Sequence, residues 1–382
     1  MRTYLDHNAT SPLRPDVRDA MLAAMALSGN ASSLHGEGRA ARAVVDEARE
    51  AVARAIGCAP RQIVFTSGGT EANVMALSPS WVEGEGLKRL FISAIEHASV
   101  LQGGRFAPDA VETLPVDADG LIDLAAAEQR FAEWHRASHG APFLVSVMLA
   151  NNETGVLQPV PRIAALARQF GGLVHSDAVQ AFGKIASDAA ALGVDLLSLS
   201  AHKIGGSKGA GALVILRDGL PVAAMLRGGG QEFGYRAGTE NVAAIAGFGA
   251  VAAGHPMRGD EIGGLRDRLE AEAAGVAPGL TVFAQDAPRL PNTSCFAVPG
   301  MSAETVLIGL DLEGVAVSAG AACSSGKVAR SHVLDAMGVA PDLAEAAIRV
   351  SLGWSTTEDD VARFIAAWRK VYSRFAARRR AA

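Results

Sequence analysis

A chain of 382 residues, 49% of them hydrophobic, is long enough for two or three domains and too apolar for general disorder. Its formal net charge of -5 gives no global attraction to nucleic acid, and the basic end "RKVYSRFAARRRAA" reads as a solvated helix terminus whose dipole favours cations. Three cysteines, Cys58, Cys295 and Cys323, stand far apart, which excludes a disulfide framework and a four-thiolate metal site within one chain.

The first residues, "MRTYLDHNAT", carry Asp6 and no apolar core, so no signal peptide is expected. "RPDVRDAMLAAMAL" predicts a helix with proline near its start. "GRAARAVVDEAREAVARAIG" predicts a long one, because Val44, Val45, Ala48, Val52 and Ile56 recur at helical spacing and Gly57 stops it. "QIVFTSGGTEANVMAL" reads as strand, glycine turn and helix, and "RLFISAIEHASV" as a strand running into polar residues. "PFLVSVMLANNETG" is a continuous apolar run of the kind that forms a buried parallel strand. "PRIAALARQFGG" predicts a helix, and "LVHSDAVQA", "DLLSLSAHKIGG" and "GALVILRDG" predict strands. This rhythm predicts an α/β domain with a mostly parallel sheet. The longest apolar stretch, residues 242–254, is too short and glycine-rich to span a bilayer, so a cytoplasmic protein without membrane contact is expected. Past that point a charged helix, "DEIGGLRDRLEAEAAG", and two short strands, "NTSCFAVPG" and "AAIRVSLG", follow. A capped helix then carries Val361, Phe364, Ile365, Trp368 and Val371 on one face, and the whole predicts a smaller α+β domain.

Polar residues cluster at the carboxyl ends of the predicted strands, where open α/β sheets hold ligands. Gly68, Gly69 and Thr70 open a helix and suit a phosphate, or else form a simple tight turn. Asp177 follows a strand and reads either as an N-cap or as the carboxylate that keeps a pyridinium nitrogen protonated. Lys203, beside His202 in a glycine-rich loop, is either a solvated lysine or a Schiff-base lysine. His97 lies at another strand end, either structural or placed to stack on a planar cofactor and move a proton. Arg349 interrupts the alternation of Ile348, Val350 and Leu352, so it needs an anion, either an acidic side chain or a substrate carboxylate. Cys58 and Cys295 read as small buried hydrophobes. Cys323, in "SAGAACSSGKVARSHVL", lies among small residues.

Over nearly its whole length the chain resembles the NifS/IscS-type cysteine desulfurases. The resemblance is carried, in order, by "YLDHNATSP", "NASSLHGEGRAAR", "FTSGGTEAN", "EHASV", "VMLANNETGVLQP", "HSDAVQAFGK", "LSLSAHKIGGSKGAGAL", "GGGQEFGYRAGTEN", "AGAACSSG" and "AIRVSLG". It implies a pyridoxal-phosphate transferase of fold type I. A large domain over residues 15–252 would hold a mostly parallel seven-stranded sheet flanked by helices. Residues 1–14 and 253–382 would form a small domain carrying the Cys323 loop. Lys203 would bind pyridoxal 5'-phosphate as a Schiff base, Asp177 would pair with its ring nitrogen and Gln180 would face its phenolic oxygen. His97 would stack on the ring. Gly69, Thr70, Ser200 and His202 would hold the phosphate, with Thr239 reaching it from the partner subunit of a homodimer. Asn152 and Arg349 would orient L-cysteine.

The resemblance implies that Cys323 takes the substrate sulfur as a persulfide, releases L-alanine and hands the sulfur to an acceptor protein such as an iron–sulfur scaffold. Carriers for tRNA thiolation or molybdenum-cofactor sulfuration are the other acceptors known in the family. In some members the loop cysteine also ligates a transient iron–sulfur cluster, and no other metal ligand is expected. Another pyridoxal-phosphate activity, such as selenocysteine lyase or an aminotransferase, would share Lys203 and Asp177 without needing Cys323. A binding-only scaffold would need none of these residues. The chain departs from the family pattern at His7, Gly205, Ser207, Phe233 and Tyr235, and "CSSGKVARSHVL" resembles the long-loop subgroup.

Overall fold

The computed structural model describes residues 2–80, 86–254, 257–320 and 330–381. Cys323 lies outside the described residues. The strands, in chain order, are β1 (Thr3–Tyr4), β2 (Ile63–Thr66), β3 (Arg89–Ser93), β4 (Val111–Leu114), β5 (Phe143–Ser146), β6 (Leu173–Asp177), β7 (Leu196–Ser200), β8 (Gly211–Ile215), β9 (Thr281–Val282), β10 (Thr293–Ala297), β11 (Val315–Ala316), β12 (Ser318–Ala319) and β13 (Ile348–Ser351).

Seven of them form one sheet in the order β2-β8-β7-β6-β5-β3-β4. Strands β4, β3, β5, β6 and β7 pair in parallel, and β8 runs antiparallel to both of its neighbours, β7 and β2. A sheet covered on both faces must be apolar on both, and β2, β5, β6, β7 and β8 are buried throughout. Helix Gly36–Ile56 lays Ala41, Val45, Ala48, Val52 and Ile56 against the sheet and ends at Gly57, whose φ of 74° is the left-handed conformation glycine adopts at low cost. Helix Val242–Ala253 packs directly on it. A Cβ at Gly249 would stand 2.5 Å from the Ala48 Cα, so only glycine permits that approach. Phe91, Phe131 and Phe143 pack ring to ring at 4.9–5.3 Å inside the same core.

A second, antiparallel sheet has the order β12-β13-β10-β9, and β1 pairs with β11 beside it. Its core gathers Leu5, Leu269, Phe296, Val350, Phe364 and Trp368, and the buried Trp368 donates its indole N–H to the Ala273 carbonyl at 3.1 Å. A further apolar cluster brings Ile95, Met148 and Val156 against Phe283, Cys295, Leu334 and Ala347, which joins the two sheets. The N-terminal segment also crosses between them. The Leu5 carbonyl accepts from the Ser351 N–H, and the Ser11 N–H donates to the His202 carbonyl.

Sequence reading passed over β4 and the helices Leu124–Ala137 and Ala303–Leu312. It also took Cys58 for a buried residue, whereas the thiol is only partly buried at the end of the helix, with its pKa raised to about 11 by burial. Cys295 is buried as expected.

The departures from the family pattern have local partners. The buried His7 ring bonds through Nδ1 to the Ser11 hydroxyl, and a Cβ at Gly353 would overlap the ring. Gly205 has φ 89°, and its missing side chain leaves room for Arg14 and Trp354. Ser207 donates to the Ala244 carbonyl at 2.6 Å, tying the Lys203 loop to helix Val242–Ala253. Glu232 and Phe233 have φ values of 48° and 58°, a conformation that costs about 1–3 kcal/mol at a non-glycine residue. They are held by Arg49, which grips both Glu232 carboxylate oxygens at 2.7 Å, donates to the Ile63 carbonyl and faces the Phe233 ring. Replacing Glu232 by Ala strands the buried guanidinium. The expected loss is about 3–5 kcal/mol in chemical unfolding, with a lower melting temperature, and an unchanged unfolding midpoint would refute this role.

Candidate active site

The ends of β6 and β7 and the loops after β2, β3 and β5 open on one side of the large sheet. Gly69, Thr70, Ser200, His202 and Lys203 line a cavity of about 290 Å³ there. His97, Asn152, Asp177, Gln180 and Arg349 line the same cavity. Thr239 is exposed and does not line it.

Each wall has a physical cause. Asp177 ends β6 and is buried; one carboxylate oxygen accepts from Asn73 Nδ2 at 2.7 Å and the other from the Val179 N–H at 2.9 Å. Its turn-capping bond and its place in the cavity coexist, so the two sequence readings of Asp177 were not exclusive. His97 caps the short helix Ala98–Leu101. Its Nδ1 accepts from the Ser99 N–H at 3.1 Å, which leaves the ring proton to Nε2. Burial lowers the His97 pKa, opposed by Asp177, so the ring is neutral at physiological pH. His202 is likewise held down, to about 4, by burial and by Lys203, and its Nδ1 meets the Thr10 hydroxyl at 3.1 Å. Lys203 sits in the turn after β7 and donates from Nζ to the carbonyls of Asn8 at 2.7 Å and Ala9 at 3.0 Å.

At one end of the cavity, helix Gly69–Ala76 presents its N-terminus, a place that favours an anion. A Cβ on Gly69 would meet Val179 Cγ2 at 2.7 Å, so this wall admits no side chain. Ser200 Oγ is buried there and, among the described residues, has no hydrogen-bond partner. At the opposite end Arg349, fully buried on β13, binds Asp6 Oδ1 at 2.8 Å and the Asn152 carbonyl at 2.9 Å. Of the two anions that the sequence allowed this arginine, the acidic side chain is Asp6. Beside it Glu153 is buried with its pKa raised to about 7 by desolvation, and it accepts from the Ser331 hydroxyl.

Sequence reasoning missed Asp6, Asn8, Asn73, Glu153 and Lys184. Each lies within a quoted motif, yet each acts through contacts with distant segments that no local pattern reveals. A larger cavity of about 680 Å³ lies on the other side of Lys203, between Phe182, Ile204, Met257 and Trp354. Arg14, Lys184 and Lys203 also line it, but Gly69, Thr70, His97 and Asp177 line only the smaller of these two cavities.

Among the described residues no helix is long and apolar enough to cross a membrane. The model of the family described as aminotransferase class-V matches residues 3–364. A protein of Cereibacter sphaeroides named cysteine desulfurase is 43% identical over 372 residues, covering 95% of this chain and 94% of its own. The structure of a NifS-like protein from Rickettsia africae superposes with a TM-score of 0.87 at 36% identity, covering 98% of this chain and all of the other. That of SspA in complex with cysteine superposes with a TM-score of 0.78 at 29% identity, over 93% of this chain and all of the other. The chain belongs to the aminotransferase class-V family and, within it, to the cysteine desulfurases.

Proposed function

We propose that the protein converts L-cysteine to L-alanine with pyridoxal 5'-phosphate as cofactor, taking the sulfur on Cys323 as a persulfide and passing it to an acceptor protein. The observation that carries this reading is the single cavity that unites Lys203, Asp177 and His97 with Arg349 in a chain of this family. The residues fit the cofactor. The helix N-terminus and the unpartnered Ser200 hydroxyl suit its phosphate, the wall at Gly69 is bare, and Asp177 is aligned by two donors for a protonated ring nitrogen. When bound, pyridoxal phosphate supplies a carbonyl that condenses with amines and a ring that withdraws electrons from the substrate Cα.

The protein side of the mechanism then follows. Lys203 provides the amine that holds the cofactor and, once released, takes the Cα proton. Neutral His97 offers a flat ring face and an Nε2 proton for the departing sulfur chemistry. Arg349 and Asn152 orient the substrate carboxylate, which must compete with Asp6 for the guanidinium. The Cys323 thiolate attacks the substrate sulfur; the S–S bond forms as the Cβ–S bond breaks with its electron pair going to Cβ, which gains a proton. The proton held by Lys203 returns to Cα to give alanine, so the sulfur is oxidised as Cβ is reduced. The thiol of one cysteine and the sulfur of another thus become one persulfide, with no outside oxidant. A free thiol of this kind suits a reducing compartment, the cytoplasm.

We further infer two domains, residues 15–252 and residues 1–14 with 253–382, supported by the separate sheets and cores. A homodimer in which Thr239 reaches the partner's phosphate is supported by its exposure and by the exposed apolar Leu22, Met25, Leu34 and Phe233.

Cys323→Ala is expected to abolish sulfide and alanine production while the visible absorbance of the bound cofactor remains. Full turnover in that variant would instead favour a lyase that needs no nucleophilic cysteine. Arg349→Lys loses the planar fork, and kcat/KM for cysteine is expected to fall about 10–100-fold with cofactor absorbance retained. Wild-type kinetics in that variant would remove Arg349 from substrate binding.

A further inference from the structure

Lys184 is a buried lysine with no part in the reading above. Its side chain lies in the interior, where a lysine is costly and a methionine or leucine would serve packing equally well. From Nζ it donates to Asn8 Oδ1 at 2.7 Å and to Gln180 Oε1 at 2.7 Å. On its other side the Gln180 amide donates from Nε2 to the Asn8 carbonyl at 2.9 Å. Amide oxygen and nitrogen can exchange places by a simple flip. Here a flip would set the amide oxygen against a carbonyl that cannot donate and would remove the acceptor that faces the lysine. The amide therefore has one orientation. Its oxygen turns to Lys184, and the second N–H of Nε2 is the group Gln180 can offer to the cavity it lines.

Asn8 is held by the same lysine. Its Oδ1 also accepts from Asn292, its Nδ2 donates to Thr293 Oγ1 and the Asn152 carbonyl, and its own carbonyl receives Lys203 Nζ. Among the described residues, Lys203, Arg349, His7 and His202 interact electrostatically with Lys184. Burial and the cations Lys203 and Arg349 push its pKa well down, and it keeps its donors in either protonation state.

We propose that Lys184 is a positioning residue. It fixes the Gln180 amide so that the site presents a hydrogen-bond donor, and not an acceptor, to the phenolic oxygen of the cofactor. This rests on the cofactor reading above. A donor there favours the deprotonated oxygen and so lowers the pH at which the bound cofactor changes colour.

The test is a spectrophotometric pH titration of the protein loaded with pyridoxal phosphate, without substrate. Lys184→Met keeps length and removes the donors; the midpoint is expected to rise by about one pH unit. Gln180→Ala is expected to raise it similarly, and the double variant to match Gln180→Ala alone. An unchanged midpoint in Lys184→Met overturns the proposal, and so does an equal further rise on the Gln180→Ala background, which would mean the lysine acts by charge alone. Should Lys184→Met not fold, Gln180→Glu keeps the lysine's partner while removing the donor, and the same rise is expected; a wild-type midpoint there overturns the proposal. If the wild-type protein develops no visible band, the cofactor reading fails. Crystal structures of the cofactor-free wild type and Lys184→Met then decide: a Gln180 amide that leaves the Asn8 carbonyl supports the role, and an unmoved amide refutes it.

Discussion

Asn8 lies where both sheets end, and its backbone and side chain meet residues from five separate segments. Its N–H donates to Ser351 of the small sheet, its side chain ties Lys184 to Asn292, Thr293 and the Asn152 carbonyl, and its carbonyl receives Gln180 and Lys203. A residue fully inside the protein must satisfy each donor and acceptor it carries, so these five segments can adopt only the relative placement that does so. The position of Lys203 is one consequence. That of Arg349 is another, since its guanidinium shares the Asn152 carbonyl with the Asn8 amide. The active-site geometry is therefore a product of the crossing N-terminal segment as much as of the strand ends.

This arrangement gathers groups that a stable core would avoid. Arg349, Lys184, Asp177, Glu96 and Glu153 are all buried. Burial raises Glu96 to about 8, so it stays protonated at neutral pH, with one oxygen accepting from Ser93 and the Met148 N–H. Removing such groups from water costs several kcal/mol each unless partners replace the solvent. Most have partners here, and of the orphaned atoms, which include Glu96 Oε2 and Asn73 Oδ1, two are informative. Ser200 Oγ lacks one among the described residues, and Arg349 Nε likewise. Both atoms belong to residues that line the cavity, one at each end, where the phosphate and the carboxylate of the proposed ligands would supply the missing bonds.

Much of this was legible in the sequence because strand ends are marked by a change from apolar to polar residues. Asp177, Lys203 and His97 could be found that way. The need of Arg349 for an anion was also visible, from one charge in an apolar alternation. Its partner Asp6 was not, because 343 residues separate them and only the fold brings them together. Strand β4 escaped for a different reason: as an edge strand it leaves Glu112 half-buried and Thr113 exposed, so it has no apolar run. Strand β8 reads like any buried strand, and nothing in "GALVILRDG" reveals that it runs antiparallel. Nothing in "HSDAVQAFGK" marks Lys184 as buried, since burial is a property of the folded chain.

The same logic extends to the segment that carries Cys323. The described chain stops at Gly320, whose N–H donates to the Ala347 carbonyl, and resumes at Arg330, followed by Ser331. A Cβ on Gly320 would stand 3.6 Å from the Glu153 carboxylate, and the Ser331 hydroxyl donates to it while capping the next helix. His332 then bonds to the Glu96 carbonyl, next to His97. Ser331 and His332 are thus tied to the loops that also hold Asn152 and His97, and the group that anchors Ser331 is Glu153, a buried acid.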